Sequence, residues 1–369
     1  MKTFAIQACA SLAACALALP AVAQSCLGDI AVDNRIDGGD LGVMLANWGP
    51  VTSTSLSRAC DLDGNAIVNG ADLGMLLSNW GACPTLFWAT IIEAQPNPAV
   101  VADENLRVAI SATGLPWRVR DNGTGIEMLL VPPGAYGMGC AYASCGWGPG
   151  SEYPCSDHEL PQHSVMISQA IYVGRYEVTQ AQWVAKMGSN PSVFQGQADS
   201  ASRPVDRVSW NDVQVFLGVT GTRLLSEAEW EYAYRAGTTT VFHGYPGTSA
   251  GFNCWELAGQ IGVFGGCNSF CATWPVGSRQ ANGFGLHDMA GNVWEWVNDW
   301  YAADYYANSP SVDPQGPPSG MYRVLRGGSW ANAGYGGRGS GRGRLQPEGD
   351  FSSDYSMGNQ IGFRVARNP

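Results

Sequence analysis

The chain is poor in charge and in histidine. Only 14% of its 369 residues are charged, and four are His. So little charge beside 48 glycines and 14 tryptophans excludes a helical bundle and implies a turn-rich fold with an aromatic core. Positive charge is scarcer still: 20 Lys and Arg against 31 Asp and Glu leave a formal net charge of −11. That excludes the basic stripe a nucleic-acid surface needs, and it suits cations and an extracellular setting. After residue 23 no apolar run is long enough for a membrane span. His158 and His163 have no third histidine near them and do not share a helix face, which argues against zinc.

Residues 1–23 read as a secretory signal. Lys2 gives a short positive start, Phe4 to Leu19 is largely apolar, and Ala21-Val22-Ala23 supplies small residues before a cut. The expected location is therefore secreted or in the cell envelope. Cys26, Cys60, Cys83, Cys140, Cys145, Cys155, Cys254, Cys267 and Cys271 follow the signal. In an exported chain most should pair, and the odd count leaves at least one free or paired between molecules. Cys140, Cys145 and Cys155 cluster locally, as do Cys254, Cys267 and Cys271, while Cys26 and Cys83 could clamp the ends of the segment between them.

Residues 24–83 contain a duplication. Leu41-Gly42-Val43-Met44-Leu45-Ala46-Asn47-Trp48-Gly49 recurs as Leu73-Gly74-Met75-Leu76-Leu77-Ser78-Asn79-Trp80-Gly81. Each copy reads as a short apolar helix ended by glycine, and each follows an acidic loop. The second loop places Asp61, Asp63, Asn65, Asn69 and Asp72 at positions 1, 3, 5, 9 and 12, with the Ile67 carbonyl at position 7. Alternating oxygen donors of this kind wrap one calcium ion. In the first loop Asp29, Asp33, Asp37 and Asp40 fit, but Ala31 stands at position 3. The paired loops resemble a dockerin module, which implies calcium and a cohesin-type docking receptor. Leu41, Leu45 and Trp48 with their repeats Leu73, Leu77 and Trp80 are expected in the module's core, and some of them on a docking face.

Residues 84–114 read as a connector, broken at Pro96-Asn97-Pro98 and ending in a strand over Leu106–Ile110. A large domain follows over 115–369. Helices are expected from Thr179 to Lys186, from Asn211 to Val219, and after the Ser226 cap, where Glu229 completes a capping box. Capping and a solvated face account for Glu227, Glu229 and Glu231 better than acid–base catalysis does.

The densest stretch is Gly285-Leu286-His287-Asp288-Met289-Ala290-Gly291-Asn292-Val293-Trp294-Glu295-Trp296. Two large aromatics would organise much core. Asp288, Asn292 and Glu295, turned at Gly291, could aim oxygen donors at one calcium. This stretch is similar to the signature of the formylglycine-generating enzyme family, the sulfatase-modifying-factor domain. The resemblance extends in order through Glu127-Met128, Gly137-Met138-Gly139, Tyr176-Glu177-Val178-Thr179, Pro204-Val205, Val208-Ser209-Trp210, Glu227 to Ala233, Arg326-Gly327-Gly328-Ser329-Trp330 and Gly362-Phe363-Arg364. It implies an α+β, C-type-lectin-like fold with little regular secondary structure, behind a small α-helical dockerin-like calcium module.

The same resemblance implies a calcium site at the Asp288 and Glu295 side chains with the Gly291 and Val293 carbonyls. An earlier site would use Asn253 and the Cys254 carbonyl, but residues 257–274 hold no acid to complete it. Family enzymes hold copper(I) on two cysteines between the Arg326–Trp330 motif and Gly362. Here residues 331–361 hold none, and the matching positions fall near Asn332 and Gly337. Thiolates are what select copper(I), so copper is not expected. Cys267 and Cys271 have another spacing and read as disulfide cysteines. The region instead carries Arg338 and Arg342, suited to clamping a carboxylate or sulfate on a protein or glycan ligand. The sequence therefore points to a binding or accessory role. An oxidase acting on sulfatase cysteines, another reaction in the same cleft, and a structural matrix component are the alternatives.

Overall fold

Apolar, strand-forming Glu127–Val131 lies in the middle of a five-stranded antiparallel sheet. The strand order is Ala366–Arg367, Ile171–Gly174, Glu127–Val131, Arg118–Asp121 and Ala89–Glu93. The computed structural model describes residues 30, 35–52, 54–78, 80–82, 86–140, 146–147, 151–152, 155–244, 259–265, 272–352 and 356–369. The signal segment, Cys26, Asp29, Ala31, Asp33, Asn79, Cys83, Cys145, Asn253, Cys254, Cys267 and Cys271 lie outside the described residues.

The amino-terminal repeat forms helices α1 (Gly38–Ala46) and α3 (Gly70–Ser78), with α2 (Ser55–Cys60) between them. Asp37 caps α1, and Asp40 returns a hydrogen bond to its backbone. Short pairings of Arg35–Ile36 with Gly81–Ala82 and of Gly49–Pro50 with Ile67–Val68 close the unit. Its core is Ile36, Met44, Cys60, Leu62, Val68 and Leu76. The tryptophans are not in it. Trp48 and Trp80 are each 49% exposed, and Leu45 and Leu77 are 55% and 51% exposed. Small helices bury one stripe only; Met44 and Leu76 take it, so the residues beside them on each repeat turn outward.

The segment read as a connector is part of the large body. Ala89–Glu93 pairs with Arg118–Asp121, and Trp88, Val101 and Ile110 join the main core. The strand expected at Leu106–Ile110 is instead helix α4 (Glu104–Ser111). Asp103 caps it by accepting from the Asn105 and Leu106 amides, and Arg107, Ile110 and Ser111 are buried at helical spacing. Arg107 donates to the Asp63 carbonyl (3.4 Å), and the Ser111 hydroxyl donates to the Leu62 carbonyl (3.2 Å). The helix thus seats the acidic loop against the large body.

Helices α5 (Gln180–Met187), α6 (Trp210–Thr220) and α7 (Glu227–Arg235) form as expected, each opened by a capping box from Thr179, Ser209 and Ser226. A four-stranded sheet of Gly343–Leu345, Arg323–Arg326, Trp294–Trp300 and Ile361–Gly362 carries the tryptophan-rich motif. Cys140 and Cys155 form a disulfide, and among the described residues Cys60 is a free, buried thiol.

Candidate functional site

In the acidic loop, Asp61, Asp63 and Asp72 are all buried, and each offers one carboxylate oxygen within 4.8 Å of the others. The chain wraps them by backbone hydrogen bonds. Asp61 accepts from the Asn65 and Ala66 amides, and Asp72 from those of Leu62, Asp63 and Asn69. Gly64 takes a φ of +74°, which the tight turn requires. Asn65 accepts from the Ile67 amide (2.8 Å) and Asn69 from the Ala71 amide (2.7 Å). Burial, with Asp72 and Asp61 beside it, pushes Asp63 up to about 6. Among the described residues no salt bridge reaches these three carboxylates, since Arg107 meets the loop at a carbonyl. Three buried, unneutralised acids with converging oxygens suit a hard divalent cation.

The tryptophan-rich motif forms a second acidic centre. Asp288, at φ +56°, accepts the Gly277 amide at 2.6 Å through Oδ2, while its Oδ1 is buried without a partner among the described residues. Burial pushes Asp288 up to about 6 and Glu177 well above the carboxylate range. Glu177 accepts the Asn292 side-chain amide (2.7 Å) and the Val293 backbone amide (3.1 Å). The motif's residues were flagged from sequence, but the part played by Glu177 was not, because 115 residues separate it from Asn292.

Glu295 has a different partner from the one expected. Its carboxylate is engaged by Arg364 (2.6–2.9 Å) and the Trp230 indole (2.7 Å), so the side chain serves a buried salt bridge. Three buried acids, Glu177, Asp288 and Glu295, face one buried guanidinium, Arg364. That excess of negative charge, with the orphaned Asp288 oxygen, still fits a cation beside Gly291 and Val293.

Arg338 and Arg342 are not free clamps. Arg338 forms a two-point pair with Glu159 (3.0 and 2.6 Å), and Arg342 forms one with Glu227 (2.7 and 2.9 Å). Both are buried, as are their neighbours over 337–342, so this part of the region is packed structure and not an open recognition loop. Glu227 and Glu231 are likewise buried, not on a solvated face. Glu231 binds Arg235 and Arg326, and only Glu229 serves as the expected cap. A buried charge needs a paired charge or a bound cation, and each of these acids has an arginine.

The place of the thiol pair is filled differently. Asn332 Oδ1 accepts from the Ser329 amide (3.0 Å) and hydroxyl (2.9 Å), and the Asn332 carbonyl accepts from the Gly265 amide (2.7 Å). Gly337 has no room for a side chain, because a Cβ there would lie 2.7 Å from Phe264 Cε1 and nearer still to Cζ. An amide locked in a turn and a bare glycine against a phenyl ring do not fit copper(I), which requires soft sulfur.

Fold and site together define a class: a mixed helix-and-sheet domain with the formylglycine-type scaffold and no cysteine over residues 331–361. The chain belongs to the family described as sulfatase-modifying factor enzyme 1-like, whose domain matches residues 117–369. It is 41% identical over 177 residues to a formylglycine-generating enzyme of Streptomyces coelicolor, covering 45% of this chain and 53% of that protein. It is 28% identical over 267 residues to the chaperone protein LppX of Paenibacillus barcinonensis, covering 59% of this chain and 87% of that one. The solved structure of PvdO from Pseudomonas aeruginosa is similar at a TM-score of 0.53 and 27% identity, covering 68% of this chain and 98% of that one. The chain spans about half the length of the formylglycine-generating enzymes it matches. Among the described residues no helix is long and apolar enough to cross a membrane.

Proposed function

We propose that this is an exported, calcium-dependent binding or accessory protein and not a formylglycine-generating oxidase. One observation carries the reading: Phe264 occupies the space beside Gly337 that a copper thiolate would need. LppX, a relative named as a chaperone, supports an accessory role on this scaffold. The relatives named as formylglycine-generating enzymes favour the oxidase instead. Incubating the full chain with copper, dioxygen and a Cys-x-Pro-x-Arg peptide separates the two. An unchanged peptide mass supports accessory binding, and conversion of the cysteine to formylglycine overturns it.

The amino-terminal unit is, on this reading, a dockerin-like calcium module. Asp61, Asp63 and Asp72 with Asn65, Asn69 and the Ile67 carbonyl hold one ion. A second ion sits at Asp288 with the Gly291 and Val293 carbonyls. Calcium supplies the missing positive charge at both places. The outward face repeated as Leu45, Trp48 and Leu77, Trp80 meets a cohesin-type receptor. Repetition of the same exposed residues at the ends of two helices supports docking over chance exposure. Trp48→Ala and Trp80→Ala together should abolish receptor binding in calorimetric titration while leaving the melting temperature unchanged.

A further inference from the structure

Two hollows, of about 1110 Å³ and about 380 Å³, adjoin where the last residues of the chain meet α6. They share Thr222, Arg223, Asn368 and Pro369 and so form one trough. None of its lining residues belongs to the acidic loop, the tryptophan-rich motif or the 326–342 region. Its combined size exceeds the roughly 300–1,000 Å³ of ordinary small-ligand sites, which points to a ligand of several linked units.

The trough's arginines are already matched within the protein, Arg223 by Glu229 and Arg367 by Asp121. Arg223 clamps Glu229 through both terminal nitrogens (2.7 and 2.9 Å) and donates to Asn368 Oδ1 (3.0 and 2.9 Å). Asp313 accepts from the Ser168 amide and hydroxyl. An anionic ligand would find no free guanidinium in these groups. What the walls offer are the side-chain amides of Gln169, Gln214, Asn298 and Gln315. An amide both donates and accepts, as a sugar hydroxyl does. Gln214 is one of these wall residues, and its Nε2 is buried with no partner among the described residues, so it keeps an unused donor. At the smaller end Phe87 stands 90% exposed beside Trp88. An exposed ring at the end of an amide-lined trough is suited to the apolar face of a pyranose.

We infer that this trough binds a neutral oligosaccharide. An extended peptide fits it less well, because strand addition needs an open sheet edge. The edge strand Ala366–Arg367, which lines the smaller hollow, is already covered at Ala366, whose amide donates to the Arg223 carbonyl (2.7 Å) and whose carbonyl accepts the Arg223 amide (2.9 Å).

The test titrates the full chain calorimetrically with tetra- to hexasaccharides from β-glucan, xylan, mannan and chitin, and with an uncharged peptide of similar length. One carbohydrate class should bind, and Gln214→Leu and Phe87→Ala should each weaken it about ten-fold or more with the melting temperature retained. Phe87 is a surface residue, so its variant decides the matter if Gln214→Leu fails to fold. Failure of all four sugars, affinity unchanged by the variants, or preference for the peptide would overturn the assignment. Sugar binding is read separately from calcium loading and from the copper assay, so either proposal can fail without the other.

Discussion

Phe264 lies where any side chain at Gly337 would have to go. The ring is fully buried, and Gly265, next in the chain, donates its amide to the Asn332 carbonyl. Asn332 and Gly337, near which the resemblance places the thiols, are therefore tied to the same short segment, one by a hydrogen bond and one by a ring.

Adding bulk at Gly337 should destabilise the protein. Gly337→Ala is expected to cost about 1–3 kcal/mol by overpacking, and Phe264→Ala in the same chain should relieve much of that loss. Urea unfolding of the single and double variants checks this. Equal costs with and without Phe264 would show that the ring is not the obstacle.

Glu231 holds the arginines of α7 and the four-stranded sheet together. Its Oε1 accepts from Arg235 and the Gly139 amide, and its Oε2 accepts from Arg326. Arg235 and Arg326 keep its carboxyl below the usual range despite complete burial. Glu231→Gln strands two buried guanidinium groups and should cost about 3–5 kcal/mol. Arg120→Ala, which removes a half-exposed partner of Glu127, should cost no more than about 1 kcal/mol. Denaturation midpoints of the two variants make the comparison.

Asp206 should make stability fall with rising pH. It is fully buried, its Oδ1 accepts the Val193 amide and its Oδ2 has no partner among the described residues. Burial pushes it up to about 7. The folded state therefore holds a proton that the unfolded state releases near pH 4. The resulting stabilisation is full below about pH 4 and is lost as pH rises towards 7, at most about 4 kcal/mol. In Asp206→Asn the slope from this group should vanish. A wild-type stability profile no steeper than that of the variant between pH 4 and 7 would contradict the assignment.

Calcium should stabilise the chelator-stripped chain. At a free concentration 100 times the dissociation constant, one ion contributes about 2.7 kcal/mol by mass action. Asp61→Ala should remove the increment from the acidic loop, and Asp288→Ala the one from the tryptophan-rich motif. Scanning calorimetry with and without chelator reads both, and superimposable traces for the wild type would dismiss the two ions.

Local chemistry was legible from the residues alone. The duplication at Leu41 and Leu73, the spacing from Asp61 to Asp72, the capping boxes of α5 to α7 and the absence of sulfur near Asn332 all depend on neighbours a few positions apart. Hydrogen-bond reach and helical periodicity are short-range, so a linear pattern carries them. Partnerships across the chain were decided only by folding. Arg338 meets Glu159 across 179 residues and Arg342 meets Glu227 across 115, which turned supposed ligand clamps into buried pairs. Trp48 and Trp80 read as core because tryptophan is apolar, yet a unit with so small an interior filled it with Met44 and Leu76 first. Burial and charge pairing are set by which distant surfaces come together, and that is a property of the packed chain, not of any segment within it.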